Sequence, residues 1–149
     1  MTGARIIGLL LVICLTGCLA SKGGINRIQG AKDVFGIELY SATDYREIKG
    51  VKGTDEPCLK GFERSFDALG ISIGYGFDGK IRKITTRNPE TTLFGVHPGT
   101  QAKDAGRTLL QAGLTDSGTP GRYTGDGLTL TLLVDGSGRA FGITVETDN

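Results

Sequence analysis

The chain carries two copies of one sequence pattern, and this duplication limits the possible folds more than any other feature. Self-similarity in a fixed order is typical of a repeated structural unit, and each copy here is about 58 residues long. We therefore expect repeat 1 at 33–89 and repeat 2 at 90–149. Three pairs of blocks carry the duplication: Val34–Ile37 with Leu93–Val96, Phe66–Ile73 with Tyr123–Leu130, and Ile84–Thr86 with Ile143–Val145.

The second copy predicts a helix followed by an antiparallel pair of strands. Thr100 is a suitable N-cap, and Gly113 suits the residue just past a helix end, so we expect a helix at about 101–112. Apolar residues at helical spacing support it: Ala102, Ala105, Leu109 and Ala112. Apolar and polar residues then alternate over 128–132. They alternate again through Phe141, Ile143 and Val145, after a turn at 135–138.

The first copy repeats this arrangement with a weaker helix. Residues 43–49 predict a short helix with Tyr45 and Ile48 inward and with Gly50 as its end. A strand with one buried face is predicted from alternating apolar residues: Ile71, Ile73, Tyr75 and Phe77. Asp78-Gly79 is a hairpin signal, and the chain is expected to return through Ile81 and Ile84.

Two such units bury little surface alone but can join their strands. We therefore expect an α+β fold of two tandem helix-plus-meander repeats, with one antiparallel sheet and the helices on one face. The other face is expected to be open to solvent or to a partner, because its side chains are small and polar. This candidate partner-binding face consists of Ser72, Gly74, Thr85, Thr129, Thr131 and Thr144, with Gly76 beside them.

The first residues have the order of a secretion signal. Arg5 precedes an apolar run, Ile6–Leu15, which is too short to cross a hydrocarbon core that needs about 20 helical residues. We therefore expect 1–17 to be removed as a signal peptide and 18–32 to form the modified Cys18 and a flexible linker. Residues 19–31 would span roughly 20 Å as a Gly-rich coil.

The composition argues against several kinds of chemistry. With 17 Lys and Arg against 16 Asp and Glu, the chain has no basic field for nucleic acid. One His and three Cys are too few for a conventional zinc or iron–sulfur site, and neither a metal nor a cofactor is predicted. Gly74–Gly79 matches the dinucleotide motif G-x-G-x-x-G, but a strand follows it where that motif requires a helix.

Other polar residues give only weak functional signals. His97 with Cys58 could form a nucleophilic dyad, although neither lies in a recognised local motif, and no catalytic residue is predicted. A calcium site near 135–138 lacks the usual ladder of ligands. One basic cluster could face anionic lipid or an acidic partner, or simply water: Lys80, Arg82, Lys83 and Arg87.

The end of the signal carries a family resemblance. Leu15-Thr16-Gly17-Cys18 resembles the lipobox of bacterial lipoproteins, which implies lipidation of Cys18 after cleavage before it. Two or three acyl chains would anchor the protein stably, where one would be marginal. The resemblance implies a bacterial envelope location, and Leu19 favours the outer membrane in a cell with two membranes.

The body is similar to two groups of proteins. Gly95, Gly99, Thr100, Leu109 and Gly113 before a meander resemble small envelope lipoproteins of the SmpA/OmlA group, and the doubled unit resembles the β-lactamase inhibitor protein fold. Both groups act by binding proteins, which implies a non-enzymatic, membrane-anchored module with an envelope or surface protein as its partner. Two alternatives stay open: a secreted inhibitor or small-ligand carrier with a sheet pocket lined by Tyr75 or Tyr123, and an enzyme using Cys58 and His97.

Overall fold

The computed structural model describes residues 33–148 of the chain. Those residues form one eight-stranded antiparallel sheet, a separate two-stranded hairpin, a 3₁₀ turn at Asp67–Leu69 and one α-helix. The two-stranded hairpin consists of β1 (Glu47–Ile48) and β2 (Val51–Lys52). The large sheet contains β3 (Thr54–Cys58), β4 (Gly61–Phe66), β5 (Ile71–Gly76), β6 (Ile81–Thr86), β7 (Thr115–Asp116), β8 (Arg122–Gly125), β9 (Leu128–Val134) and β10 (Ala140–Thr147); the helix is α1 (Ala102–Gln111).

The large sheet is built from two four-stranded meanders that share a central seam. Its strand order is β3-β4-β5-β6-β10-β9-β8-β7, so each meander runs from an outer edge to the middle. The last strands of the two meanders, β6 and β10, pair antiparallel with Thr85 opposite Thr144. The seam therefore joins the strands of the two halves into one continuous sheet.

Each half begins with the same tight turn. Phe35 and Gly36 have positive φ values of 52° and 74°, and Phe94 and Gly95 have 51° and 79°. In both turns the fourth residue donates its backbone N–H to the carbonyl of the first at 3.0 Å, Ile37 to Val34 and Val96 to Leu93. Two consecutive positive φ values define a type I′ turn, which explains why the glycine recurs at this place in the repeated block.

The predicted α+β fold with helices on one face is wrong. The protein is mostly β, and α1 is the one α-helix of residues 33–148. In place of the helix predicted at 43–49, residues 43–46 are irregular chain and residues 47–49 begin the β1–β2 hairpin. Lys49 and Gly50 have φ values of 47° and 80°, which form the two-residue turn of a hairpin. Gly50 therefore reverses a strand and does not end a helix.

The hydrophobic core lies on one face of the large sheet. Alternation puts the large apolar side chains of the strands on this face: Phe66, Ile71, Ile73, Tyr75, Ile81, Ile84, Leu128, Leu130, Leu132, Ile143 and Val145, each buried. Most of the covering layer is irregular chain that contributes Val34, Ile37, Leu93 and Val96, all buried. Helix α1 adds only Ala105 and Leu109.

Helix α1 matches the predicted 101–112 closely, but its start differs. The N-cap is Gln101, and Thr100 instead donates its hydroxyl to the His97 carbonyl at 2.7 Å. The end is as expected: Gly113 has φ 95°, and the backbone N–H of Leu114 donates to Leu109 at 3.1 Å. This is a Schellman motif, in which a left-handed residue satisfies the last free carbonyls.

Two phenylalanines predicted to face the core are exposed. Strand β5 ends at Gly76, so Phe77 begins a turn and is 85% exposed. The register of β10 against β9 shifts between Ala140 and Gly142, and Phe141 is 46% exposed. A bulge of this kind interrupts the alternation from which the burial of Phe141 was predicted.

Candidate functional site: the second face of the sheet

The second face of the large sheet carries a row of short hydroxyl side chains. Direct cross-strand pairs connect one hydroxyl residue on each of six adjacent strands, in the order Thr54, Ser65, Ser72, Thr85, Thr144 and Thr131. We call these six the hydroxyl row. At the seam the hydroxyls of Thr85 and Thr144 lie 2.9 Å apart and form a hydrogen bond. The row crosses both halves of the protein, because the seam keeps their strands in register.

A charged pair spans Gly74 in the neighbouring row. Glu63, Gly74 and Lys83 lie opposite one another on β4, β5 and β6. The Lys83 Nζ donates to Glu63 Oε2 at 2.8 Å, and the Ser72 hydroxyl donates to Glu63 Oε1 at 2.8 Å. A Cβ at Gly74 would lie 2.9 Å from the Lys83 Cβ, closer than normal contact. Glycine therefore leaves room for the two side chains to meet across the middle strand.

The electrostatics of Glu63 follow from this pair. Partial burial alone would raise the pKa of the Glu63 carboxyl, but the hydrogen bonds from Lys83 and Ser72 outweigh burial and hold the pKa below its ordinary value. Glu63 is therefore ionised at neutral pH. Glu146, opposite Lys83 on β10, adds a second carboxylate on the other side of the lysine.

All six residues of the predicted partner-binding face lie on this one face. Three of them are almost fully buried: Ser72, Thr85 and Thr129 are 6%, 4% and 5% exposed. The Thr129 hydroxyl is also engaged, since it donates to Asp148 Oδ1 at 2.8 Å. Thr131 and Thr144 are half-buried, so they are the members most accessible to a partner.

At one end of the face lies a groove of about 780 Å³ that the sequence did not indicate. Gly74, Gly76, Glu63 and Lys83 line it, together with Leu59 and Phe77 from two hairpin turns and Glu146 from β10. Thr147, the next residue of β10, lies opposite Leu128 on the core side, and its buried hydroxyl has no hydrogen-bond partner within residues 33–148. Sequence reasoning missed the groove because it assigned Phe77 to the core and did not consider Leu59.

A second polar cluster, also missed, lies at the core side of the sheet. Arg64 is 5% exposed, and its guanidinium forms ion pairs with Asp44 and Asp55, including Nη2 to Asp55 Oδ2 at 2.8 Å. Arg64 Nη1 also donates to the Tyr45 carbonyl at 2.9 Å. The guanidinium carbon lies 5.3 Å from the ring centre of Phe62, within cation–π range.

The Arg64 cluster fixes structure and does not offer a ligand site. Hydrogen bonds from Arg64 hold the pKa values of Asp44 and Asp55 below their ordinary values, and those carboxylates in turn raise the pKa of Arg64. The guanidinium is already engaged by both carboxylates and a backbone carbonyl. The cluster therefore fastens the segment before β1 to the outer strands β3 and β4.

The residues of the rival hypotheses are not brought together. Cys58 is exposed and pairs with Gly61 at one end of the sheet. His97 lies beside Gly99, whose N–H donates to Ala140 at the opposite end of the other half. The structure thus separates the two members of the Cys58–His97 dyad. Tyr75 donates its hydroxyl to the Thr43 carbonyl at 3.2 Å, and Tyr123 lies against Gly106 of α1, so both rings belong to the core side.

The calcium candidate at 135–138 is a hairpin turn. Asp135 Oδ1 accepts hydrogen bonds from the Ser137 backbone N–H and hydroxyl and from the Arg139 N–H, and these bonds hold the pKa of Asp135 below its ordinary value. Within residues 33–148 no group of three or more His, Cys, Asp or Glu side chains is arranged to hold a metal ion. Gly74–Gly79 ends β5 and forms a turn into β6.

No family model, no curated protein and no solved structure matches the chain. Over residues 33–148 no helix has the length and apolar character needed to cross a membrane. The predicted signal peptide, the lipidated Cys18 and the linker to residue 32 lie outside the described residues.

Proposed function

We propose that this protein is a non-catalytic binding module of the bacterial envelope, tethered by lipid on Cys18, that binds a protein partner through the hydroxyl row. The observation that carries the binding role is the asymmetry of the sheet. One face holds the apolar core, and the other presents short hydroxyl side chains on six adjacent strands. The tether is supported by the Leu15–Cys18 lipobox.

A face of short hydroxyl residues suits contact with another protein. Ser and Thr lose little side-chain entropy on ordering, in contrast to Lys or Glu, so contact with them costs less. The hydroxyls of the accessible members, such as Thr54 and Thr131, can donate and accept, which lets them satisfy polar groups of a partner that covers the row. The Glu63–Lys83 pair lies beside the row and can set the orientation of a partner, because fixed charges favour one approach.

Thr131 is the best position to test this role. Thr131 is the half-buried last member of the hydroxyl row, with Thr144 opposite it on β10 and Arg122 opposite it on β8. Thr129 is almost fully buried, and its hydroxyl is hydrogen-bonded to Asp148. An arginine at 129 would disturb the fold, but one at 131 can extend over the surface. Thr119, exposed in the loop between β7 and β8, offers a matched control for the size and charge of the change.

The test is chemical crosslinking in intact cells that produce the full chain. We expect Thr131→Arg to reduce the crosslinked complex at least about tenfold, which corresponds to about 1.4 kcal/mol of binding free energy. Thr119→Arg should leave the complex unchanged. The Cys18 peptide of the mature protein from the membrane fraction should carry the mass of a diacylglyceryl group. A complex unaffected by Thr131→Arg would contradict the role of the face, and an unmodified Cys18 would contradict the lipid tether.

A further inference from the structure

Two apolar side chains project from neighbouring hairpin turns at one end of the sheet. Leu59 is 98% exposed and Phe77 is 85% exposed, while the next most exposed large apolar residue among 33–148, Leu110, is 50% exposed. Gly61 at the start of β4 pairs with Gly76 at the end of β5. The β3–β4 and β5–β6 turns are therefore side by side, and both border the same groove.

Each of these turns also carries lysine. Lys60 follows Leu59 directly, and Lys80 closes the turn that begins at Phe77. The one acidic residue of the two turns, Asp78, is neutralised by Arg82, whose Nη2 lies 2.6 Å from Asp78 Oδ2. The pair of turns therefore combines two fully projecting apolar groups with an excess of positive charge.

We propose that the β3–β4 and β5–β6 turns form a second membrane contact, in which Leu59 and Phe77 enter the interface of an anionic phospholipid bilayer and Lys60 and Lys80 lie against its phosphates. Single apolar side chains that project from turns beside lysine suit a bilayer surface, because the apolar groups insert below the headgroups and the basic groups stay among them. A protein interface would favour apolar groups set within a surrounding surface that excludes water. Leu59 and Phe77 project from turns instead.

Charge also orients this contact. The same end of the second half of the sheet carries acidic residues, Asp126, Glu146 and Asp148. An anionic surface therefore attracts the corner with Lys60 and Lys80 and repels the corner with Asp148. The hydroxyl row would then stand away from the bilayer and remain accessible from the side.

The proposed tether reaches far enough to allow this orientation. Asp33, where the described residues begin, accepts a hydrogen bond from Thr92 at 3.2 Å. Thr92 lies in the loop after β6, at the end of the sheet opposite the β5–β6 turn. Residues 19–32 can extend to roughly 45 Å, which exceeds the roughly 26 Å length of an eight-residue strand such as β10. The inference rests on the proposed anchoring only for bringing the turns near a bilayer, since a tether raises their local concentration.

Because the chain contains no tryptophan, the tryptophan fluorescence of a single-substitution variant comes only from the introduced residue. We compare Phe77→Trp and Leu59→Trp with Phe141→Trp, a partly exposed phenylalanine at the opposite end of the sheet. The full chain, purified from membranes, is reconstituted into vesicles of phosphatidylglycerol and brominated phosphatidylcholine. The mass of the Cys18 peptide is measured on the same preparation.

We expect the brominated lipid to quench Phe77→Trp and Leu59→Trp at least about threefold more than Phe141→Trp, because an interfacial side chain lies within about 10 Å of the acyl boundary. Replacing phosphatidylglycerol by unbrominated phosphatidylcholine should reduce this quenching. Equal quenching at positions 77 and 141, or none at 77 and 59, would overturn the inference whether or not Cys18 is lipidated. Quenching at 77 with an unmodified Cys18 would support the membrane contact and contradict the tether.

Discussion

Replacing Arg64 by leucine is expected to lower the free energy of unfolding by about 3 kcal/mol, one of the largest effects available from a single polar residue. Arg64 is almost fully buried and supplies hydrogen bonds to Asp44, to Asp55 and to the Tyr45 carbonyl. Its guanidinium also packs near the stacked rings of Phe62 and Tyr75. Leucine fills part of the space but leaves these polar groups without their donor. Both carboxylates keep access to water, which holds the loss near the lower end of the range for broken buried pairs.

Arg64→Lys is the matched control, because it keeps the charge but cannot form the planar fork. We expect the free energy of unfolding of Arg64→Lys, measured by urea unfolding at pH 7, to lie between those of the wild type and Arg64→Leu. An Arg64→Leu protein as stable as the wild type would contradict the structural role of the cluster.

The Arg64 effect should also depend on pH with a definite sign. The pKa values of Asp44 and Asp55 are lowered in the folded protein, so the stability that these carboxylates contribute is fully present above their ordinary pKa of about 3.9. This stability is lost as the pH falls through the lowered pKa values. The stability difference between the wild type and Arg64→Leu should therefore be constant from about pH 5 to pH 7 and shrink below about pH 4. A difference that grows on acidification would contradict this account.

Gly61→Ala is expected to destabilise the protein by about 3 kcal/mol or more. Gly61 has φ 150°, and a Cβ there would lie 2.0 Å from the Tyr75 carbonyl oxygen on the neighbouring strand. The clash is with backbone, so no side-chain rotation relieves it. Relief requires β4 to separate from β5 at the end that carries the two exposed turns.

Gly136→Ala provides the matched comparison for this substitution. Gly136 is exposed, and no atom lies within 4 Å of a Cβ built there. We expect its stability to stay within about 0.5 kcal/mol of the wild type in the same urea titration. Equal, small effects of the two substitutions would mean that β4 and β5 do not approach as closely as described.

Local patterns in the sequence predicted those elements whose signals are local. Alternation of apolar and polar residues from Leu128 to Leu132 indicated β9, and Gly113 with Leu114 indicated the end of α1. The same alternation put Ser72, Thr85 and Thr131 on one face, since residues two apart along a strand share a face. These parts depend on periods of two or 3.6 residues, which can be read without knowledge of distant contacts.

The failures came where a few residues or distant partners decide the structure. Tyr45 and Ile48 suggested a helix, but the left-handed turn at Lys49 and Gly50 reverses the chain after only two residues of strand. The burial of Phe141 depends on a bulge that appears only when β10 pairs with β9. Arg64 on β4 forms an ion pair with Asp44 in the segment before β1, and no local spacing in the sequence predicts that contact.

Site-specific photocrosslinking in intact cells tests the central claim most directly. A photoreactive residue placed at Thr131 on the hydroxyl row is compared with one at Lys103, exposed on α1 at the opposite side of the sheet. We predict a discrete crosslinked protein at Thr131 that is missing at Lys103 and is lost when Thr144→Arg is added. Crosslinks of equal yield and identity at the two positions, or crosslinks only at Lys103, would contradict binding through this face.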